Sequence, residues 1–187
     1  MKLVTSNKFK LKEFQRFGLN LDIASGLDLE EVDGTPEEVI TYKAIEAGNN
    51  LMVEDTILIV DGVEIVDIRE KINDLHLLIN KKAIWKVSIA CVINDKIKIA
   101  TAEIEGFISQ PTHDLNKSFG FDPFFTVYSK DLDQNLSLSQ LEDINKKDNY
   151  SARKKCIDNF LNEKGDFKII TKDNVPQWKG AYQQISH

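Results

Sequence analysis

The segment that most constrains the fold is residues 83–108, AIWKVSIACVINDKIKIATAEIEGFI. Two apolar runs, rich in β-branched residues, flank Asn94-Asp95, a pair that is typical of tight turns between antiparallel strands. The segment is therefore predicted to form a hairpin of two long strands. Any fold for this chain has to accommodate that hairpin in the middle of the sequence.

Strands and helices alternate before the hairpin. The clearest helix signal lies in residues 35–50, where Thr35 is a candidate N-cap, Pro36 takes the first helical position and Glu38 completes a capping box. A strand in residues 51–68 is expected to break at Glu54-Asp55 and to turn at Asp61-Gly62. Further helices are predicted within 8–17, 69–82, 136–144 and 149–165, and further strands within 2–7 and 19–25. This order predicts one α/β domain spanning residues 1–187, with a mixed sheet.

Apolar residues on two of these helices are expected in the core. They are Phe9, Phe14 and Phe17 in the first helix, and Ala152, Cys156, Ile157, Phe160 and Leu161 in the last.

The charge balance limits the partners of the protein. The chain has 24 Lys+Arg against 30 Asp+Glu and a formal charge of −6, which argues against a nucleic-acid or anionic-membrane surface. The sequence lacks the apolar run of roughly 18 residues that a bilayer span needs, and its N-terminus is too polar for a signal peptide. Cys91 and Cys156 are far apart and are read as reduced, which favours a cytoplasmic protein.

Residues 5–13, TSNKFKLKE, follow a predicted strand and open a helix. Free backbone N–H groups at a helix start favour an anion such as phosphate, and nearby lysines add positive charge. The alternative is that Ser6 or Asn7 only caps the helix and that the lysines are solvated. Residues 5–13 alone leave both interpretations open.

Carboxylates form two groups, one in the acidic loop at 28–33 and the other at Glu54-Asp55 inside an apolar run. Adjacent acids in such a run are costly unless a metal, a lysine or water compensates them. Oxygen ligands of this kind suit Mg²⁺ together with a substrate phosphate. A strand end that faces solvent is the alternative.

The segment 116–125, NKSFGFDPFF, is either a turn capped by core aromatics or a grip for a flat ring. The Lys43 side chain could simply extend so that its ammonium group reaches the surface. Ser151 could cap a helix, and Arg153 could hydrogen-bond a base or a phosphate.

The order of these motifs resembles that of the inosine/xanthosine triphosphate pyrophosphatase family, the Ham-type enzymes that act on non-canonical purine nucleotides. The family pattern Thr-Gly-Asn-x-x-Lys-x-x-Glu is matched by residues 5–13, with Ser6 in place of glycine. An acidic loop, Lys43-Ala44, the triplet at 54–56, the Phe-Gly-Phe-Asp-Pro block at 119–123 and Ser-Ala-Arg at 151–153 follow in the family order. The resemblance covers residues 1 to about 160, and the block at 119–123 is its most specific part.

The resemblance implies a strongly twisted central sheet flanked by helices, with two lobes and the active site in the cleft between them. It also implies Mg²⁺-dependent hydrolysis of ITP, dITP or XTP to a monophosphate and pyrophosphate, in a homodimer. The implied catalytic residues are Asp55, Lys10 and Lys43, and the implied Mg²⁺ ligands are Glu31, Glu54 and Asp55. The implied substrate contacts are Thr5, Ser6, Asn7, Lys10, Lys43, Thr56, Phe119, Gly120, Phe121, Asp122, Lys147, Ser151 and Arg153.

Two departures from the family pattern bear on function. Ala152 stands where the family has a histidine that contacts the 6-oxo edge of the base, so the base preference could differ. Residues 57–71 lack the family's Gly-x-Pro-Gly segment, so catalysis could be weakened. The alternatives to the main prediction are therefore the same chemistry on another base and a nucleotide-binding protein with little turnover.

Overall fold

The computed structural model describes residues 1–19, 21–24, 29–65 and 68–184, with the backbone alone at 22–24. Contacts divide the chain into two compact units. The first unit comprises Met1–Asp55, Ser88–Ala102 and Cys156–His187, and the second comprises Thr56–Val87 and Glu103–Lys155. A single domain over the whole chain stays a prediction, as does a cleft that holds the active site.

Nine strands occur within the described ranges. They are β1 (Lys2–Val4), β2 (Asp22–Ala24), β3 (Leu51–Val60), β4 (Val63–Ile65), β5 (Lys82–Ile93), β6 (Lys96–Ile108), β7 (Phe125–Ser129), β8 (Gln134–Ser137) and β9 (Phe167–Thr171). The strand order is β2-β1-β3-β5-β6-β7-β8, with β4 paired to β3 and β9 paired to β6. β1 runs parallel to β2 and β3, whereas β6 runs antiparallel to β7 and β9. The predicted α/β fold with a mixed sheet is confirmed.

The helices fall mostly where the sequence predicts them. The α-helices are α1 (Lys8–Arg16), α2 (Pro36–Ala47), α3 (Leu138–Asp143) and α4 (Ala152–Asn162), and short 3₁₀ helices lie at Ile72–Leu78, Lys147–Tyr150 and Lys172–Asn174. The capping box at α2 is present: the Glu38 N–H donates to Thr35 Oγ1 at 3.2 Å, and the Thr35 N–H donates to Glu38 Oε2 at 2.8 Å. Within the described ranges, no helix is long and apolar enough to cross a membrane.

Each unit has its own apolar packing. In the first unit, the inner face of α2 packs against β3, β5 and β6 through Ile40, Ala44, Ala47, Val53, Ala90, Val92, Ile97 and Ile99. In the second unit, Trp85 meets Phe121 and Phe125 edge to face, with ring centroids 5.9 and 6.4 Å apart. The same unit buries Phe124 fully. Cys91 and Cys156 are buried thiols that are not in a disulfide, as expected.

Several local predictions are wrong. β3 runs without a break through Glu54-Asp55, because Lys10 compensates the buried Glu54 carboxylate. Phe9 is half exposed while Phe14 is fully buried. Five residues correspond to about 140° around an α-helix, so the two rings cannot share one face. Leu161 is also half exposed, one position beyond the buried Phe160 in the final turn of α4.

Candidate active site

The start of α1 is organised by Asn7. Its side-chain oxygen accepts the N–H groups of Phe9 at 3.0 Å and Lys10 at 3.3 Å, and its own N–H donates to Thr5 Oγ1 at 3.1 Å. Asn7 is therefore the N-cap, while Ser6 is exposed. Capping fixes where the helix begins and so places Lys10 in its first turn.

Lys10 forms the first of two close lysine–carboxylate pairs. Its Nζ lies 2.5 Å from Glu54 Oε2, which comes from the middle of β3. The Glu54 side chain is almost fully buried and that of Lys10 is partly exposed. A carboxylate buried this deeply is tolerated only with a charged or hydrogen-bonding partner, and Lys10 is one such partner.

Lys43 forms the second pair. Its Nζ projects from α2 to Glu31 Oε1 at 2.5 Å and lies 3.9 Å from Asp55 Oδ1. The loop before α2 supplies Glu31, and β3 supplies Asp55. The sequence left open whether Lys43 reaches the surface; in the structure its side chain is mostly buried between two carboxylates.

The electrostatics of this cluster favour a further cation. Burial raises the pKa of the Asp55 carboxyl; Lys43 lowers it, Glu31 and Glu54 raise it again, and the net pKa lies above the usual range. Burial lowers the pKa of Lys43, but attraction to Asp55, Glu31 and Glu54 outweighs that effect and the net pKa is raised. The pKa values of Asp55 and Lys43 therefore depend on the other charged groups of this cluster.

The chemistry of the cluster fits a hard divalent cation. Carboxylate oxygens are the donors that Mg²⁺ prefers. A cation would offset the burial of the Asp55 carboxylate and its repulsion by Glu31 and Glu54, which together raise its pKa. In the described residues, however, no group of three or more His, Cys, Asp or Glu side chains is already arranged around a metal position. The fit thus rests on donor type and charge.

In the second unit, the segment 119–125 is held by a buried ion pair. The Asp122 N–H donates to the Phe119 carbonyl at 3.0 Å, and Gly120 takes a positive φ of 51° in that turn. Lys147 Nζ lies 2.5 Å from Asp122 Oδ2, with both side chains nearly inaccessible to solvent. Asp122 therefore braces the loop.

Two cations lie against the ring of Phe119. Lys147 Nζ is 5.2 Å and Arg153 Cζ is 5.5 Å from its centroid. Arg153 Cζ is also 5.5 Å from the ring of Trp85, so the guanidinium contacts both aromatic side chains. Sequence reasoning missed Trp85. Its place in the alternating pattern of β5, between the buried Ala83 and Val87, signals burial but not a contact with Arg153.

The remaining predicted contacts lie at the start of α4 and in β3. Arg153 donates from its terminal nitrogen to Thr56 Oγ1 at 3.1 Å. Ser151 Oγ accepts the Lys154 N–H at 3.1 Å, so Ser151 does cap the helix. Phe121 is packed into the core against Trp85 and Phe125 rather than lying at the surface.

Most of the predicted site residues, together with Trp85, thus form two sets, which we call the acidic cluster and the aromatic cluster. The acidic cluster in the first unit contains Lys10, Glu31, Lys43, Glu54 and Asp55, next to the α1 cap. The aromatic cluster in the second unit contains Thr56, Trp85, Phe119, Asp122, Lys147 and Arg153. Asp55 and Thr56, one from each cluster, are neighbours in β3.

Comparison with known proteins assigns the chain to a family. The family model described as the Ham1 family matches residues 1–163, which is most of the chain. No curated protein matches the sequence. The Ham1 family is known for nucleoside triphosphate pyrophosphatases that generally use a divalent metal, which indicates a hydrolase of nucleotide metabolism. The chain therefore belongs to the Ham1 family.

Proposed function

We propose that this protein is a Mg²⁺-dependent pyrophosphatase of non-canonical purine nucleoside triphosphates, namely ITP, dITP and XTP. The products would be the nucleoside monophosphate and pyrophosphate. The observation that carries the proposal is the acidic cluster, in which Lys43 lies between Glu31 and Asp55. Lysines and carboxylates together suit a phosphate chain and a divalent cation.

The triphosphate would be held by the lysines and by the start of α1. Lys10 and Lys43 are positioned charges that neutralise phosphate oxygens. Asn7 caps the start of α1, and the partial positive charge at that end of the helix would favour an anion near Thr5, Ser6 and Asn7. Glu31, Glu54 and Asp55 would hold Mg²⁺, which supplies charge neutralisation at the leaving pyrophosphate and orients the attacking water.

Asp55 would act as the general base. Water attacks the α-phosphorus, the bond from that phosphorus to the oxygen bridging to the β-phosphorus breaks, and the proton from water passes to the Asp55 carboxylate. No covalent intermediate is needed.

The aromatic cluster would bind the base. The Phe119 ring offers a stacking surface, and Arg153, Ser151, Thr56 and the backbone near Gly120 supply hydrogen-bonding groups. The buried Asp122–Lys147 pair would keep the turn in the conformation that presents the Phe119 ring. Phe121 would support Phe119 from the core.

Incubation of the protein with Mg²⁺ and each of ITP, XTP, dITP, dUTP, GTP and ATP tests the proposal. We expect pyrophosphate release to be fastest with the inosine and xanthosine nucleotides. Release of orthophosphate would contradict attack at the α-phosphorus. Binding without turnover of any triphosphate would favour the nucleotide-binding alternative.

A second candidate is the same chemistry with another base preference. Its support is Ala152, which is fully buried in the first turn of α4 and carries no polar side-chain atom. A clear preference for ATP or for a pyrimidine triphosphate in the same panel would favour this candidate. Homodimer formation stays a prediction from the family resemblance, and a cytoplasmic location stays a prediction from the two cysteines.

A further inference from the structure

The chain continues beyond the family match at residue 163 into β9, a 3₁₀ turn and an extended segment. We call residues 175–183 of that segment the C-terminal strap. We propose that the strap is a positioning element that holds Glu31 against Lys43. This inference rests on the proposed function, because it assigns the strap a role in the acidic cluster.

The strap is hydrogen-bonded to the backbone of Glu31 and Asp33, on both sides of Val32. The Gln183 N–H donates to the Glu31 carbonyl at 2.8 Å, and the Asp33 N–H donates to the Ala181 carbonyl at 2.9 Å. Val32, which lies between these two bonds, is buried and forms an antiparallel bridge with Tyr182. These bonds fix the backbone from which the Glu31 side chain projects.

The Gln183 side chain adds a third bond to the same loop, from Nε2 to the Val32 carbonyl at 3.1 Å. The loop that carries Glu31 is thus held by hydrogen bonds to a segment that lies more than 140 residues later in the sequence.

The strap is also attached to α2, next to Lys43. Tyr42 donates its hydroxyl to the Pro176 carbonyl at 2.6 Å, and its ring lies 5.1 Å from the Trp178 ring at 60°. Both partners of the Lys43–Glu31 ion pair therefore sit beside strap contacts. Displacing the strap would loosen both ends of the pair.

Trp178 is the residue that organises the strap. Its Nε1 donates to the Ala181 carbonyl at 2.9 Å, the same oxygen that accepts the Asp33 N–H. Two glycines let the backbone approach this ring: a Cβ at Gly34 would lie 3.0 Å from Trp178 Cη2, and one at Gly180 would lie 2.6 Å from Trp178 Cζ2. The ring thus occupies a fitted position between the Glu31 loop and the strap.

The first test is hydrogen exchange in the full chain, measured for Trp178→Ala, Trp178→Phe and the control Lys179→Ala, an exposed strap residue. We expect Trp178→Ala to accelerate exchange of the amides at 31–34 at least about tenfold, with α4 unchanged. Trp178→Phe keeps the ring contact with Tyr42 and should lie between wild type and Trp178→Ala. Unchanged exchange at 31–34 in Trp178→Ala would overturn the proposal.

The second test measures the acidic cluster itself, with Mn²⁺ alone as the probe and no substrate. Groups that orient metal ligands typically change metal affinity about 10- to 100-fold when they are lost. We therefore expect Trp178→Ala to weaken Mn²⁺ binding about tenfold, and to add little further loss in a Glu31→Gln background. Faster exchange with unchanged Mn²⁺ affinity, or full additivity with Glu31→Gln, would reduce the strap to a purely structural role and overturn the inference.

The outcomes separate the strap from the proposed function. Wild-type protein that binds Mn²⁺ but releases no pyrophosphate would refute the function, while exchange and Mn²⁺ binding would still decide the role of the strap. Wild-type protein that binds no Mn²⁺ would remove the ligand role of Glu31 and overturn the inference. In an active enzyme, Trp178→Ala should raise the Mg²⁺ concentration needed for half-maximal rate more than it raises the KM for nucleotide.

Discussion

The acidic cluster and the aromatic cluster hold their cations in different ways. The Lys10 and Lys43 side chains of the acidic cluster are 19% and 14% exposed and face carboxylates. In the aromatic cluster, Lys147 and Arg153 are 3% and 1% exposed and lie against aromatic rings. A partly exposed ion pair can exchange its partner for a ligand at modest cost, whereas a buried pair is part of the folded framework.

Their charge balance differs as well. The acidic cluster has three carboxylates and two lysines, and burial together with the nearby Glu31 and Glu54 raises the pKa of Asp55. In the aromatic cluster, Lys147 pairs with Asp122, and Arg153 adds a further positive charge. We therefore expect substitutions in the acidic cluster to change turnover and substitutions in the aromatic cluster to change stability and base preference.

Asp55→Asn is expected to have the largest effect on turnover. It removes a charge and the proposed base without changing size, so pyrophosphate release should fall on the order of 10³-fold, within the range for loss of general base catalysis. The urea midpoint should stay near that of wild type. Asp61→Asn, at an exposed carboxylate paired with Lys81 in the turn after β3, is the control and should leave the rate unchanged. Near-normal activity of Asp55→Asn would exclude it as base and as metal ligand.

Lys147→Met tests the buried pair of the aromatic cluster. The substitution removes Lys147 from its buried ion pair with Asp122, and removing one partner of such a pair typically costs about 3–5 kcal/mol. Urea unfolding measures the free energy of unfolding. Lys146→Met is the matched control, because this neighbouring lysine is 36% exposed and 4.0 Å from Asp131; its effect should stay below about 1 kcal/mol. Equal losses of unfolding free energy in the two variants would mean that burial does not determine how much each ion pair stabilises the protein.

The contrast between the clusters also shows what the sequence could predict. The capping box at α2, the hairpin turn at Asn94-Asp95 and the cap at Asn7 depend on residues close in sequence, and all three occur. The break expected at Glu54-Asp55 does not occur, because Lys10, 44 residues away in sequence, pairs with the Glu54 carboxylate. Local patterns could report that a buried carboxylate needs a partner, but they could not identify that partner.

The same limit explains which site residues were predicted and which were not. Lys43, Glu31 and Asp55 were grouped only through the family resemblance, and the structure places them within one ion-pair network. Trp85 and the C-terminal strap were not predicted, since neither belongs to a motif and both act through contacts with distant segments. Pairings set by tertiary packing leave no short-range pattern in the sequence.

Phe119→Ala separates base binding from phosphate binding. Stacking of a base on an aromatic ring contributes roughly 1–3 kcal/mol, so the KM for the preferred nucleotide should rise about tenfold. Inhibition by inorganic triphosphate, which has no base, should keep its inhibition constant. Phe9→Ala, at the half-exposed phenylalanine of α1, is the control. Equal weakening of nucleotide and inorganic triphosphate would argue against a stacking role for Phe119.

Ala152→His asks whether base preference lies in the first turn of α4. Ala152 is fully buried, so a histidine has to displace neighbouring atoms and should cost about 1–3 kcal/mol of stability. A hydrogen bond to the 6-oxo edge contributes about 1 kcal/mol or more, so the ratio of ITP to ATP turnover should rise about fivefold. Ala152→Leu has similar bulk and no hydrogen-bonding atom, so it should lose stability without gaining selectivity. The same ratio in all three proteins would mean that recognition of the 6-oxo edge lies elsewhere, with Arg153 and the turn at 119–122 as the next groups to test.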